Sequence, residues 1–215
     1  WMVSNNKPGI YVGGGGQIPA CVTALNGLIL IGSNVSGGGL AQTNFISDWC
    51  DVRIDNADSY WAGTVVNRNK STNNPTFTDY YPEGLVDRNV NDVAMTVLPD
   101  APIDAATGLP VPTIAVATGG GVSVINNDGT VADSSSGTSF LYTYASDEGV
   151  FYTLSAQLHY ATWADIAAGD GFGDDIGKRT EGTLDIDLLV TGKQLTIIND
   201  DLAFGGTSTV DSAVP

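Results

Sequence analysis

The sequence predicts an antiparallel all-β fold, in which short strands follow one another as a meander and form several blades of a β-propeller-like domain. Three observations favour this class. The chain has 27 glycines in 215 residues, no stretch has the periodicity of a long helix, and turn signals such as Asn26-Gly27 separate short β-branched runs. A 42% hydrophobic content is enough for a core. We therefore expect residues 1–215 to form one such domain or part of one, within a longer chain.

The clearest stretch runs from Leu98 to Thr130. After a proline-rich connector, it predicts a strand at Thr113–Thr118 and a returning strand that begins at Val122. Gly119 to Gly121 would form the tight end of this hairpin, because glycine adopts positive φ without steric cost. If φ is positive at Gly120, replacing it by Val should cost more than about 1 kcal/mol. The run from Asn126 to Gly129 predicts a second reversal. Two reversals this close together are typical of a meander.

Residues 1–54 predict one blade-like unit. Strands at Ile18–Thr23 and Leu28–Ile31 would form a hairpin around Asn26-Gly27, and Leu28–Ile31 is apolar on both faces, as buried strands are. The chain would then reverse at Gly37–Gly39 and continue as a strand from Leu40 through Val52.

Residues 55–97 predict a long loop or excursion that ends in a short strand, Val93–Leu98. The segment is rich in Asn, Asp and Tyr, and long loops are often functional. Its aromatic residues are the candidate binding residues, because aromatic rings stack on sugars and are enriched in interfaces. The alternative is that they only anchor their own loop. The four candidates are Tyr60, Trp61, Tyr80 and Tyr81, with Arg68 and Lys70 nearby.

Residues 98–215 predict a series of hairpins. One pairs Phe140–Ala145 with Val150–Ser155, and another pairs Thr183–Val190 with Gln194–Ile198. Residues 157–168 are compatible with a short helix or with the end of a blade. The segment 189–201, LVTGKQLTIINDD, echoes 116–129, VATGGGVSVINNDG, which favours a repeated unit.

The net charge of −16 weighs against certain partners. An acidic surface repels nucleic-acid phosphates and anionic membrane surfaces, and no run of about 18 apolar residues predicts a membrane span. The acidic composition is compatible with Ca²⁺ binding, because loop carboxylates can ligate this ion. The candidate loop residues Asp170, Asp174 and Asp175 do not, however, fit the spacing of a calcium loop. We expect no other cofactor.

No residue pattern predicts catalysis. His159 is the single histidine and stands among apolar neighbours, which favours a structural role with its hydrogen bonds satisfied. Asp185 and Asp187 alternate on a predicted strand, as many carboxylate pairs do without catalytic meaning. Cys21 and Cys50 have no metal-site spacing, and we expect buried free thiols rather than a disulfide.

The stretch from Leu98 to Thr130, with TGLPVPTIAVATGGGVSVINNDGTV as its strongest part, resembles repeat-bearing β-propeller segments in large structural proteins of tailed phages. The resemblance covers about a sixth of the chain and implies a non-enzymatic virion protein of the tail or fibre. Its partners would be other virion proteins or further copies of itself, and its target a host surface glycan. The alternatives are a secreted or cell-surface carbohydrate-binding module and, third, a glycoside hydrolase that uses two acidic residues.

Overall fold

The computed structural model describes residues 19–34, 38–55, 59–63, 84–134, 139–154 and 157–168, and the backbone of 195–198 and 201–204. These ranges form four antiparallel sheets, each a meander of strands that are consecutive in the chain. One six-residue helix accompanies them. The prediction of an antiparallel all-β fold is thereby confirmed.

The first sheet has five strands in chain order: β1 (Cys21–Leu25), β2 (Leu28–Ser33), β3 (Gly39–Asn44), β4 (Trp49–Arg53) and β5 (Ser59–Gly63). The predicted hairpin at Asn26-Gly27 is present. Asn26 has a φ of 51° and Gly27 a φ of 81°, the pair of positive values that a type I′ turn requires.

The second sheet contains β6 (Val90–Thr96), β7 (Thr113–Thr118), β8 (Val122–Ile125) and β9 (Val131–Asp133). Every residue of β7 and β8 is buried, which fits a sheet that is covered on both faces. The reversal between β8 and β9 is stabilised by Asp128, whose carboxylate accepts the Thr130 N–H at 2.9 Å. This is the local bonding that makes Asp a common turn residue.

The third sheet contains β10 (Phe140–Ala145), β11 (Gly149–Leu154) and β12 (Gln157–Thr162), and helix α1 (Trp163–Ala168) follows it directly. Thr162 caps α1, because its hydroxyl accepts the Asp165 N–H at 3.1 Å and donates to the Asp165 carboxylate at 2.6 Å. Residues 157–168 therefore contain both a strand and a helix. The fourth sheet is the hairpin of β13 (Leu195–Ile198) and β14 (Asp201–Phe204).

The first three sheets stack face to face. One apolar cluster joins sheets one and two, with Leu30 and Leu40 packed with Val116 and Val90. A second cluster joins the opposite face of sheet two to sheet three. Its largest side chains are Phe140 and Tyr152, which make an edge-to-face contact at 5.2 Å between ring centroids. Burying a large apolar side chain contributes roughly 1.5–3 kcal/mol, so these two interfaces account for much of the cohesion.

The first strands of the three sheets lie next to one another, since β6 contacts both β1 and β10. Close approach at β1 depends on Gly32. A Cβ there would come within 2.4 Å of Val90 Cγ1 and 2.6 Å of the Cys21 sulfur. Any larger residue would therefore separate sheets one and two at the point where β6 meets β1.

The structure differs from the sequence predictions in the following respects. The strand predicted from Leu40 through Val52 is two strands, because the chain reverses at residues 45–48. Strand β5 falls within the predicted excursion of residues 55–97, and β6 begins three residues earlier than predicted. At the Gly119–Gly121 turn the hairpin is present, but Gly120 is not among the residues with positive φ.

Within the ranges described above, no helix is long and apolar enough to cross a membrane.

Candidate functional site

Of the four aromatic binding candidates, the structure places two. Tyr60 and Trp61 belong to β5, which is the outermost strand of sheet one among the described residues, so they lie on a strand rather than in a loop. In the backbone register Trp61 lies opposite Val52. Tyr80 and Tyr81 lie outside the described residues.

Several other residues considered in the sequence also lie outside the described residues, so their grouping stays a prediction. They are Arg68, Lys70, Asp170, Asp174, Asp175, Asp185 and Asp187.

One polar cluster in the described residues joins sheet two to sheet three. Strand β6 has an irregular register between Val90 and Asp92, and β10 has one between Phe140 and Thr143. At these two irregularities the Asn91 side-chain amide donates to the Phe140 carbonyl at 2.7 Å, and the Thr143 N–H donates to Asp92 Oδ2 at 3.0 Å. We call Asn91 and Asp92 the β6 clip, because their side chains, rather than backbone groups, make the hydrogen bonds that join β6 to β10.

Asp92, a member of the clip, and Cys21 beside it both have altered pKa values. Burial raises the pKa of the Asp92 carboxyl, and the N–H groups of Thr143 and Val93 counteract this by bonding the charged form. Burial, followed by the nearby Asp92 charge, raises the pKa of the Cys21 thiol to about 12. Since a thiol reacts as the thiolate, Cys21 is a poor nucleophile at neutral pH.

A second network surrounds the Gly119–Gly121 turn. Thr118 Oγ1 donates to the Gly121 carbonyl at 2.7 Å and accepts the Gly121 N–H at 3.0 Å. The Gly119 N–H donates to the Asn89 carbonyl at 2.9 Å. A Cβ on Gly121 would meet the Ser134 hydroxyl at 2.3 Å. The glycines are therefore needed for close approach to neighbouring segments, which explains the turn without a positive φ at Gly120.

The segment before β6 connects sheets one and two through its backbone. The Leu85 N–H donates to the Ile54 carbonyl at 2.9 Å, and the next N–H, that of Val86, donates to Ser123 Oγ at 2.9 Å. Arg88 adds an ion pair with Asp55. Because both members are partly exposed, this ion pair contributes at most about 1 kcal/mol.

Two charged residues are buried between sheets one and two. Asp51 is 0% exposed and Arg53 3%, and alternate residues of a strand share a face. The register of β3 and β4 places Asp51 opposite Gln42 and Arg53 opposite Leu40. Leu40 belongs to the apolar cluster between sheets one and two, so Asp51 and Arg53 lie on the face of sheet one that meets sheet two. Sequence reasoning missed this pair, because the chain carries no local signal that distinguishes a buried charge from a solvated one.

His159 has the structural position that the sequence predicts, but without the predicted hydrogen bonds. Its ring stacks on Tyr152 with centroids 5.5 Å apart and an interplanar angle of 11°. Burial lowers the pKa of His159, and its Nε2 makes no hydrogen bond within the described part of the chain.

Cys21 is half-buried and free. It lies on β1 and Cys50 on β4, three strand spacings away across the sheet. Adjacent strands are about 4.8 Å apart, so the two Cα atoms are separated by about 14 Å. A disulfide needs less than about 7 Å, which excludes a bridge between these residues in this fold.

In the described ranges no three His, Cys, Asp or Glu residues are grouped as ligands for a metal ion. Comparisons with protein-family models, with curated proteins and with solved structures each found no match. The resemblance to tailed-phage segments therefore depends on residues 98–130 and, more loosely, on the echo at 189–201.

Proposed function

We propose that the chain is a non-enzymatic structural module of a tailed-phage virion, part of the tail or a fibre, with a β-propeller-like fold. The observation that carries the proposal is the stack of consecutive meander sheets with their first strands side by side. The module acts in assembly or host attachment, and its partners are other virion proteins or further copies of itself. Its location is the virion.

The propeller-like part of the proposal is supported by how the sheets follow one another. A propeller blade is a meander of about four strands, and its first strand lies next to the first strands of the neighbouring blades. Sheet two, β6 to β9, has this form, and its first strand contacts those of sheets one and three. Both faces of sheet two are covered, as both faces of a blade are.

The structural part is supported by what the polar side chains bond. Asp92 accepts a backbone N–H of the neighbouring sheet, and Ser123 Oγ donates to Asp133 within sheet two while accepting the Val86 N–H. Groups held this way stabilise the stack and are not free to bind a substrate. Their engagement favours a scaffold over a reaction centre.

The attachment surface in this proposal is the edge of sheet one with its neighbouring aromatic residues. Trp61 stands on the edge strand β5, and edge strands are where chains meet partners. The test replaces Trp61 and Tyr80 together by Ala and measures binding to host cells and to the neighbouring virion proteins. The matched control is Tyr142→Ala, an aromatic deletion on sheet three.

We expect the Trp61 and Tyr80 double variant to lose at least about tenfold in binding, as truncated interface aromatics commonly do, while the control keeps its binding. Unchanged binding with lowered stability would show that these residues only anchor their own segment. Mass spectrometry of purified particles tests the location independently, because a virion protein is retained through particle purification.

The alternative with an observation in its favour is a secreted or cell-surface carbohydrate-binding module, since Tyr60 and Trp61 are adjacent on an edge strand. Glycan-array binding that Trp61→Ala abolishes, together with absence of the chain from purified particles, would support that module. Turnover of a glycoside that is lost on replacing one carboxylate, Asp185 or Asp187 included, would overturn both in favour of a hydrolase.

A further inference from the structure

Sheet three presents a row of aromatic rings on the face that points away from sheet two. Tyr144 pairs with Phe151 across β10 and β11, and Phe151 pairs with Tyr160 across β11 and β12. The ring centroids are 6.3 Å and 4.5 Å apart. All three residues are half-buried. We call them the aromatic row.

The rings of the row do not form a flat platform. Phe151 is tilted by 52° to Tyr144 and by 41° to Tyr160. A sugar ring stacks on the flat face of an aromatic side chain, and an extended oligosaccharide needs several faces that are nearly coplanar. A tilted, interlocking row instead suits side chains that insert between its rings, as apolar side chains do in the packing between two sheets.

The hairpin β13–β14 has a matching apolar face. Backbone register pairs Leu195 with Phe204 and Ile197 with Leu202, and residues opposite one another share a face. These four residues therefore form one entirely apolar face of the hairpin. A two-stranded hairpin is at best marginally stable alone in water, so such a face requires a surface to cover it.

The position of the hairpin favours the aromatic row as that surface, because sheet two already covers the opposite face of sheet three. Strand β13 lies against β10, the strand that carries Tyr144, the first ring of the row. We propose that the β13–β14 hairpin packs its apolar face on the aromatic row and forms the fourth sheet of the stack. The proposal concerns the architecture of the chain and does not depend on the virion role.

The experiment measures amide hydrogen exchange by mass spectrometry in the full chain. In the unaltered protein, residues 195–204 should exchange at least about tenfold more slowly than an unfolded peptide, because packed strands are protected. Phe151→Ser with Tyr160→Ser should remove that protection while sheets one and two keep theirs. Leu141→Ser is the matched control, because Leu141 is on the same sheet but 48% exposed, and it should change nothing at 195–204.

A second variant, altered in the hairpin instead of in sheet three, tests the same contact if the Phe151 and Tyr160 variant unfolds sheet three. Ile197→Ser with Leu202→Ser alters only the hairpin, and should speed exchange at residues 142–153 and increase binding of a dye that reports exposed apolar surface. Exchange of 195–204 at unfolded rates in the unaltered protein would overturn the proposal. So would unchanged exchange at 142–153 in this second variant, or saturable oligosaccharide binding that requires Phe151 and leaves the hairpin unaffected.

Discussion

Asp92 offers the sharpest test of how the sheets are held together, because two substitutions separate its hydrogen bond from its charge. In the unaltered protein the Thr143 N–H donates to Asp92 Oδ2 at 3.0 Å. Asp92→Asn keeps a side-chain oxygen that can accept this N–H. Asp92→Ala removes that acceptor. Thr143 is only 5% exposed, so its N–H would remain without a partner.

The expected magnitudes follow from these contacts. A buried donor left without an acceptor costs about 1–3 kcal/mol, and we expect Asp92→Ala to lower the free energy of unfolding by that amount. Burial raises the pKa of Asp92, which means that the native state disfavours the charged form. Asp92→Asn at pH 7 should therefore be neutral or stabilising.

The pH dependence has a definite sign. The native pKa lies above the unfolded value of about 3.8, so the native state binds the proton more tightly. The Asp92 contribution to stability is thus largest below the unfolded pKa and is lost as the pH rises through the native pKa. Asp92→Asn should gain stability relative to the unaltered protein as the pH rises from 3 to 7.

The assay is urea denaturation followed by tryptophan fluorescence at pH 3, 4, 5 and 7, with the two variants and the unaltered protein measured in parallel. Equal stability of Asp92→Ala and Asp92→Asn at every pH would refute the reasoning, since the hydrogen bond to Thr143 would then contribute nothing. A lower stability of Asp92→Asn than of the unaltered protein at pH 7 would show instead that the carboxylate charge stabilises the interface.

Three further predictions concern single positions. Gly121→Ala should cost about 1–3 kcal/mol in urea denaturation, because its Cβ would overlap the Ser134 hydroxyl. Gly119→Ala, whose nearest contact would be 3.3 Å away, should cost less. Cys21 should react with iodoacetamide at pH 8 at least about tenfold more slowly in the folded than in the urea-unfolded chain, as peptide mapping would show, because its thiolate fraction is small. Burial lowers the pKa of His159, so stability should fall as the pH drops below about 6.5, and His159→Phe should reduce that loss.

The hairpins that were predicted correctly share one property: the residues that specify each turn are neighbours in the sequence. Asn26-Gly27 specifies a turn through the backbone preferences of two residues, and the turn at Asn126–Gly129 uses a side-chain bond to a residue two positions away. Local chemistry of this kind is visible in a single sequence, and so is the apolar character of Leu28–Ile31.

The turn at residues 45–48, which the sequence analysis predicted as part of a continuous strand, shows where local sequence patterns are insufficient. Residues 45–48 contain no glycine or proline, and Phe45 and Ile46 look like a continuing strand. The chain turns because the Asn44 side chain accepts the N–H groups of Ile46 and Ser47 at 2.9 and 3.1 Å, with Asp48 at a φ of 52°. Asn and Asp do signal such turns, but here apolar residues between them masked the signal.

The polar contacts between sheets could not be predicted for a different reason. Whether Asp92 bonds Thr143, or whether Arg53 is buried, depends on which strands become neighbours, and the two partners of the β6 clip are about fifty residues apart in the chain. The aromatic row likewise exists only through the register of three strands.

The stack needs these polar contacts because apolar faces alone do not fix a position. Two flat surfaces of Val, Ala and Leu can slide over one another with little change in buried area, whereas a hydrogen bond is lost within an ångström. Asn91 and Asp92 hold sheet three in position on sheet two. Asn26 holds sheet one in position relative to sheet two, because its Nδ2 donates to the carbonyl of Pro110, in the connection between β6 and β7, at 2.8 Å. The apolar clusters thus supply most of the cohesion, and a few directional contacts select one arrangement of the sheets. Loss of one contact should therefore loosen the relation between two sheets more than it weakens either sheet.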